Sequence, residues 1–198
     1  RTQSVRSRLH RGGELDILMG DVDELRHPYT GQPMLLRKNV VTPEKMTDMS
    51  TFESSMDETA PAEYYIPSGM IAGTTPQATR QNAQLMAALA DKLTAHGIKF
   101  TRLTAPRTVR AEQFAITSNT QREQAFQNHK MRLLDGKWNE ATEMTLPAGS
   151  LVVPVAQPLG RIAFYLLEPR SDDGWVNWNV LDGALGADVK TYPIVRVR

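Results

Sequence analysis

The sequence predicts an α/β or α+β fold: a mixed sheet with one βαβ unit, a β-rich C-terminal half and two main helices. Three observations carry this. Glu63-Tyr64-Tyr65-Ile66, a helical stretch from Gln77 to His96, and Ile98 to Leu103 follow one another as strand, helix and strand. Beyond Arg107, short strand-forming runs alternate with Gly, Pro and Asp turns. A further apolar segment, Pro158 to Leu167, has helical spacing.

Taken in order, residues 1–13 are polar and Arg-rich and read as a linking or fraying segment. Glu14 to Leu25 carries Leu15, Ile17, Leu18 and Val22, interrupted by Gly20. His27 to Pro33 is a turn by composition, and Met34 to Val41 reads as a strand. Thr42 to Pro61 has little periodicity and reads as irregular. Residues 1–60 thus form an N-terminal connecting segment, partly strand, ahead of a domain over 61–198.

In that domain Thr75 is placed to cap the helix from Gln77 to His96, with Pro76 at its first position, where a missing N–H leaves nothing unsatisfied. Met86, Leu89, Ala90 and Leu93 share one face, and Gly97 with Ile98 forms the C-terminal stop. The unit predicts a right-handed crossover and a parallel strand pair. Thr108 to Thr117 follows as a strand. Lys130 to Leu134 and Lys137 to Leu146 read as a hairpin turning at Asp135-Gly136. Leu151 to Val155 is a buried strand, Leu159, Ile162, Ala163, Leu166 and Leu167 face inward from the second helix, and Tyr192 to Val197 closes the fold.

The 198 residues hold 23 Lys and Arg against 22 Asp and Glu, with no cysteine. The near-neutral charge gives no support for a nucleic-acid partner. Absent cysteine excludes disulfides, thiolate zinc sites, iron–sulfur clusters and a thiol nucleophile. The apolar runs are far shorter than the roughly 20 residues of a membrane helix, so no membrane insertion is expected. No signal peptide is visible, and a start at Arg1-Thr2-Gln3-Ser4 reads as a processed or excised piece.

Chemistry-bearing patterns are sparse. His10, His27, His96 and His129 are far apart; only His10 has a partner at ligand spacing, Glu14, and a zinc site needs three protein ligands. His96 reads as decoration at a helix C-terminus, and His129 as a polar residue beside a strand. No serine lies in a Gly-x-Ser-x-Gly elbow, and no phosphate loop or dinucleotide fingerprint is present. The Pro67–Thr75 loop has the form of an anion-binding strand-to-helix connection, although most such loops only connect. Asp172-Asp173-Gly174 lacks the alternating acids of a calcium loop and reads as a solvated turn. Trp175 and Trp178, with Asp172 and Asp173, form a candidate ligand or domain-interface surface for a carbohydrate or peptide; the alternative for the tryptophans is packing.

Three stretches carry a family resemblance: Glu63-Tyr64-Tyr65-Ile66-Pro67 with Leu93 to Ile98; Leu146 to Gly160; and Leu166-Leu167-Glu168-Pro169-Arg170-Ser171-Asp172-Asp173-Gly174 with Trp178-Asn179. Together they resemble the non-catalytic C-terminal region behind the peptidase domain of bacterial zinc carboxypeptidase-like proteins, of the metallocarboxypeptidase family, over about residues 60–198. The family's activity, zinc-dependent removal of C-terminal residues, needs a His-x-x-Glu pair, a later His, carboxylate-binding arginines and a water-activating glutamate. His-x-x-Glu does not occur here, so no catalytic residue, metal ligand or cofactor site is transferred to this chain. The resemblance implies an accessory domain that packs on a peptidase domain of the same polypeptide. Zinc would belong to that domain, and the parent protein would be periplasmic or extracellular.

Overall fold

The computed structural model describes residues 14–47 and 58–198. Residue contacts divide the chain into two compact units, Arg1–Glu58 and Thr59–Arg198. His10, and the expected link over 1–13, lie outside the described residues.

The first unit contains an antiparallel hairpin of β1 (Glu14–Arg26) and β2 (Pro33–Thr47). The predicted turn closes it: His27 N–H donates to Gln32 O and Gly31 N–H to His27 O, both at 2.9 Å, with Gly31 at φ 68°. The strand does not stop at Val41. It runs on to Thr47, opposite the full length of β1, so the irregular stretch expected from Thr42 begins too early. Pro43 is tolerated because an edge strand need not use every N–H.

The second unit is α+β. Its central sheet has the order β10 (Val195–Val197), β3 (Glu63–Ile66), β9 (Leu151–Pro154), β4 (Thr101–Arg102). Helix α1 (Pro76–Ala95) connects β3 to β4. Both strands run antiparallel to β9, so they are parallel to each other but separated by it. The βαβ unit is therefore split, correcting the expected parallel pair. Leu151-Val152-Val153, all buried, takes the position between them because a continuous apolar run needs cover on both faces.

Helix α1 is terminated as the sequence predicts. The Thr75 hydroxyl accepts from Ala78 N–H at 3.1 Å. At the other end Gly97 has φ +69°, with Ile98 N–H on Leu93 O and Gly97 N–H on Thr94 O, both 2.9 Å. This is the paired C-terminal cap that a left-handed glycine allows. Met86, Leu89 and Leu93 are buried, and Ala90 packs at the margin of the core.

The β-rich remainder departs from the predicted boundaries. Thr108 to Thr117 is not one strand. It divides at Glu112-Gln113 into β5 (Arg107–Ala111) and β6 (Phe114–Gln121), because Glu112 turns to bridge Arg196 on β10. Asp135-Gly136 is not a turn. It lies inside β7 (Arg132–Trp138), opposite a bulge in β6 between Ile116 and Ser118. A Cβ on Gly136 would come 2.0 Å from Ala115 O, so glycine is required for close backbone approach rather than for a reversal. The reversal is made eight residues earlier by Gln127 and Asn128, at φ 48° and 65°, a pairing that suits a tight hairpin turn. β8 (Thr142–Leu146) pairs with β5.

Helix α2 spans Gly160–Leu167 rather than starting at Pro158. Gly160 passes so near Val155 O that a Cβ would lie 1.8 Å from it, and the approach turn before Gly160 occupies Pro158. Ala163 and Leu167 face inward, whereas Ile162, expected inside, is 39% exposed. Among the described residues no helix is long and apolar enough to cross a membrane.

Candidate binding surface around Trp178

After α2 the chain crosses Glu168–Gly174 and returns under the helix, where Trp175 N–H donates to Leu166 O at 2.9 Å. This return carries Trp175 and Val176 into the core, at 2% and 1% exposure. Trp175 therefore does not belong to the predicted surface; burial of its indole beneath α2 supplies packing instead. Trp178, one turn later, is 40% exposed, and Asp172 and Asp173 are exposed beside it in sequence. The predicted site is thus reduced to Asp172, Asp173 and Trp178. Gly174 allows the turn, since a Cβ there would lie 2.9 Å from both Ser171 Cβ and Tyr165 O.

Trp178 is held from several sides. Its Nε1–H donates to Asp173 Oδ1 at 3.3 Å. The His129 ring stacks on it, with centroids 4.5 Å apart and planes 29° from parallel. His129 comes from the β6–β7 loop, so this residue is not the incidental polar neighbour of a strand that the sequence suggested. Asn179 Nδ2 donates to Asp182 Oδ2 at 3.1 Å, which leaves Asn179 Oδ1 to accept from His129 Nδ1–H at 2.8 Å. Arg132 then joins Asp182 through Nε (2.8 Å) and Asn119 through Nη1 (2.5 Å). His129 Nε2 is buried and has no hydrogen-bond partner.

A second polar cluster is internal. Arg196, 1% exposed, donates from Nε to Glu112 Oε2 at 2.6 Å and from Nη1 to Glu168 Oε1 at 3.2 Å. Its guanidinium carbon lies 4.1 Å from the centre of the Trp138 ring. Glu168 also accepts from the Tyr64 hydroxyl and from Trp138 Nε1, the latter at 3.2 Å. Burial, reinforced by the Glu168 charge, pushes the Tyr64 and Tyr192 hydroxyls well above the ordinary tyrosine range. Burial alone would raise the Glu112 carboxyl, but hydrogen bonds and charge from Arg196 and Arg198 outweigh it and hold it below its usual range. These groups balance one another, which is the arrangement of a structural ion cluster. Its members are 28 and 84 residues apart, so no spacing in the sequence announces it.

The other candidates resolve simply. In the Pro67–Thr75 loop the Asn82 amide grips Ile71 through both N–H and C=O, at 2.8 and 2.9 Å, and Thr75 occupies an amide of the helix N-terminus. His96 donates from Nδ1 to Lys92 O at 2.8 Å at the end of α1, as a C-terminal decoration. A cleft of about 670 Å³ runs between the 67–72 loop, β8 and the 183–195 segment; a smaller one of about 490 Å³ lies beside Ser68, Asn82 and Arg102. Among the described residues no group of three His, Asp or Glu is placed to hold a metal ion.

The fold and site define the chain as an α+β domain with a rigidly held surface tryptophan. No family model, curated protein or solved structure matches it.

Proposed function

We propose that this chain is a non-catalytic accessory domain of a zinc carboxypeptidase-like protein, packing on the peptidase domain of the same polypeptide and shaping access to its cleft. The observation that carries the reading is where the resembling stretches meet. Tyr64 of the first stretch pairs with Val153 of the second and bonds Glu168 of the third. All three residues are buried, so the three stretches meet in the interior of the domain at these positions. The parent's location, periplasmic or extracellular, and its zinc belong to the same proposal.

The test is the coding sequence in frame upstream, read together with an assay of the 198-residue chain. The expected result is a His-x-x-Glu pair with a later His upstream, and no release of the C-terminal residue from an N-blocked peptide by the chain alone. Stoichiometric zinc in the purified chain together with peptide cleavage would overturn the reading.

A second reading, a carbohydrate- or peptide-binding module, is favoured by one observation: Trp178 is exposed and yet fixed in orientation by His129 and Asp173. The two readings are compatible, since an accessory domain can carry a binding surface.

A further inference from the structure

We propose that the open face of Trp178 is a saccharide platform, an inference that rests on the binding-module reading above. Trp178 keeps 40% of its surface exposed while its ring stacks on His129 and its Nε1–H bonds Asp173. Here the orientation is fixed by a chain of contacts running Asn119, Arg132, Asp182, Asn179, His129, Trp178 and Asp173. Pre-organisation of this kind lowers the ordering cost of binding.

The backbone points to the same place. Three non-glycine residues are described with positive φ: Gln127, Asn128 and Asn179. The first two form the turn that delivers His129, and the third follows Trp178 directly. Such conformations concentrate where geometry serves a site. The buried Nε2 of His129, without a partner, is a further local concession to the stack.

The chemistry selects the ligand class. Neither of the two clefts includes Trp178, and its apolar neighbours Trp175 and Val176 are in the core. What remains is an exposed indole bordered in sequence by the carboxylates of Asp172 and Asp173, with the turn amides of Gln127 and Asn128 two residues or fewer from its stacking partner. A pyranose ring matches this surface, offering one C–H face to the indole and hydroxyl donors to the acceptors around it.

The experiment titrates the full chain with cellohexaose, chitohexaose and maltohexaose, and separately with a Lys- and Arg-containing peptide. It follows the indole N–H resonances of the three tryptophans. The expected result is a saturable shift of the Trp178 signal with at least one hexasaccharide. Trp178→Ala should weaken that binding at least about tenfold, by removal of the proposed stacking surface, whereas Trp178→Tyr should keep most of it. No shift with any saccharide overturns the proposal, as does saccharide binding that leaves the Trp178 resonance unmoved. A Trp178 shift with the peptide alone overturns the saccharide assignment and leaves the binding-module reading standing; silence toward every probe ends both. Because the resonance is read on the unsubstituted chain, the outcome does not depend on a variant folding.

Discussion

Arg196 donates its Nε–H to Glu112 at 2.6 Å from a position only 1% exposed to solvent. The contact ties β10 to the break between β5 and β6, and Glu168 at the end of α2 binds the same guanidinium. Removing the guanidinium takes the shared cation from Glu168 and leaves Glu112 with Arg198. Arg196→Met should therefore lower the unfolding free energy by about 3–5 kcal/mol, measured by urea denaturation. Adding Glu168→Gln should recover part of the loss, because the uncompensated buried charge is then reduced. A loss below about 1 kcal/mol, the range of a surface pair, would mean that the cluster is solvated.

Acid should weaken the fold through Glu112. Its carboxyl is held below the ordinary range in the folded chain, so the unfolded state binds more protons as pH falls. The stability it contributes is present above about pH 4.3, the unfolded value, and is lost as pH drops through the lower folded value. Thermal unfolding of Glu112→Gln should show a flatter dependence on pH across that acid window than the parent chain.

Alkali should act through tyrosine with the opposite sign. Tyr65 is pushed up to about 12 by burial and by its hydrogen bond to Glu63, and burial raises Tyr64 and Tyr192 well above the ordinary tyrosine range. Their contribution is complete below about pH 10, where unfolded tyrosine ionises, and declines above it. Absorbance near the phenolate band should show these three ionising together with unfolding. Tyr65→Phe should reduce the alkaline loss.

Gly136 tests the strand assignment. Gly136→Ala places a Cβ against Ala115 O, a backbone atom that cannot move without breaking the β6–β7 ladder. The expected cost is about 1–3 kcal/mol or more, read by chemical denaturation. If Asp135-Gly136 were instead a free hairpin turn, the exposed substitution would disturb no ladder, and hydrogen exchange in β6 would be unchanged.

The parts of this fold legible in advance share one property: their signals are local. Thr75-Pro76 and Gly97-Ile98 bound α1 because caps are satisfied by atoms three to five residues away. The apolar period of Met86, Leu89 and Leu93 names the buried face for the same reason. Asp135-Gly136 misleads because a turn preference is weak beside the pairing of a whole strand, and a bulge in β6 absorbs the glycine. Of the candidate surface, Trp178 and its two aspartates were legible as residues. The stack with His129 was not, since two residues 49 apart in sequence carry no periodic relation.

By itself the sequence determined an α/β or α+β fold with one capped helix, a strand-rich second half, and no cysteine for thiolate chemistry. Tertiary structure decided which strand lies between β3 and β4, which tryptophan is buried, and how Glu112 and Glu168 come to share Arg196. Backbone preference acts over a few residues, whereas burial and charge pairing are settled only when distant segments meet.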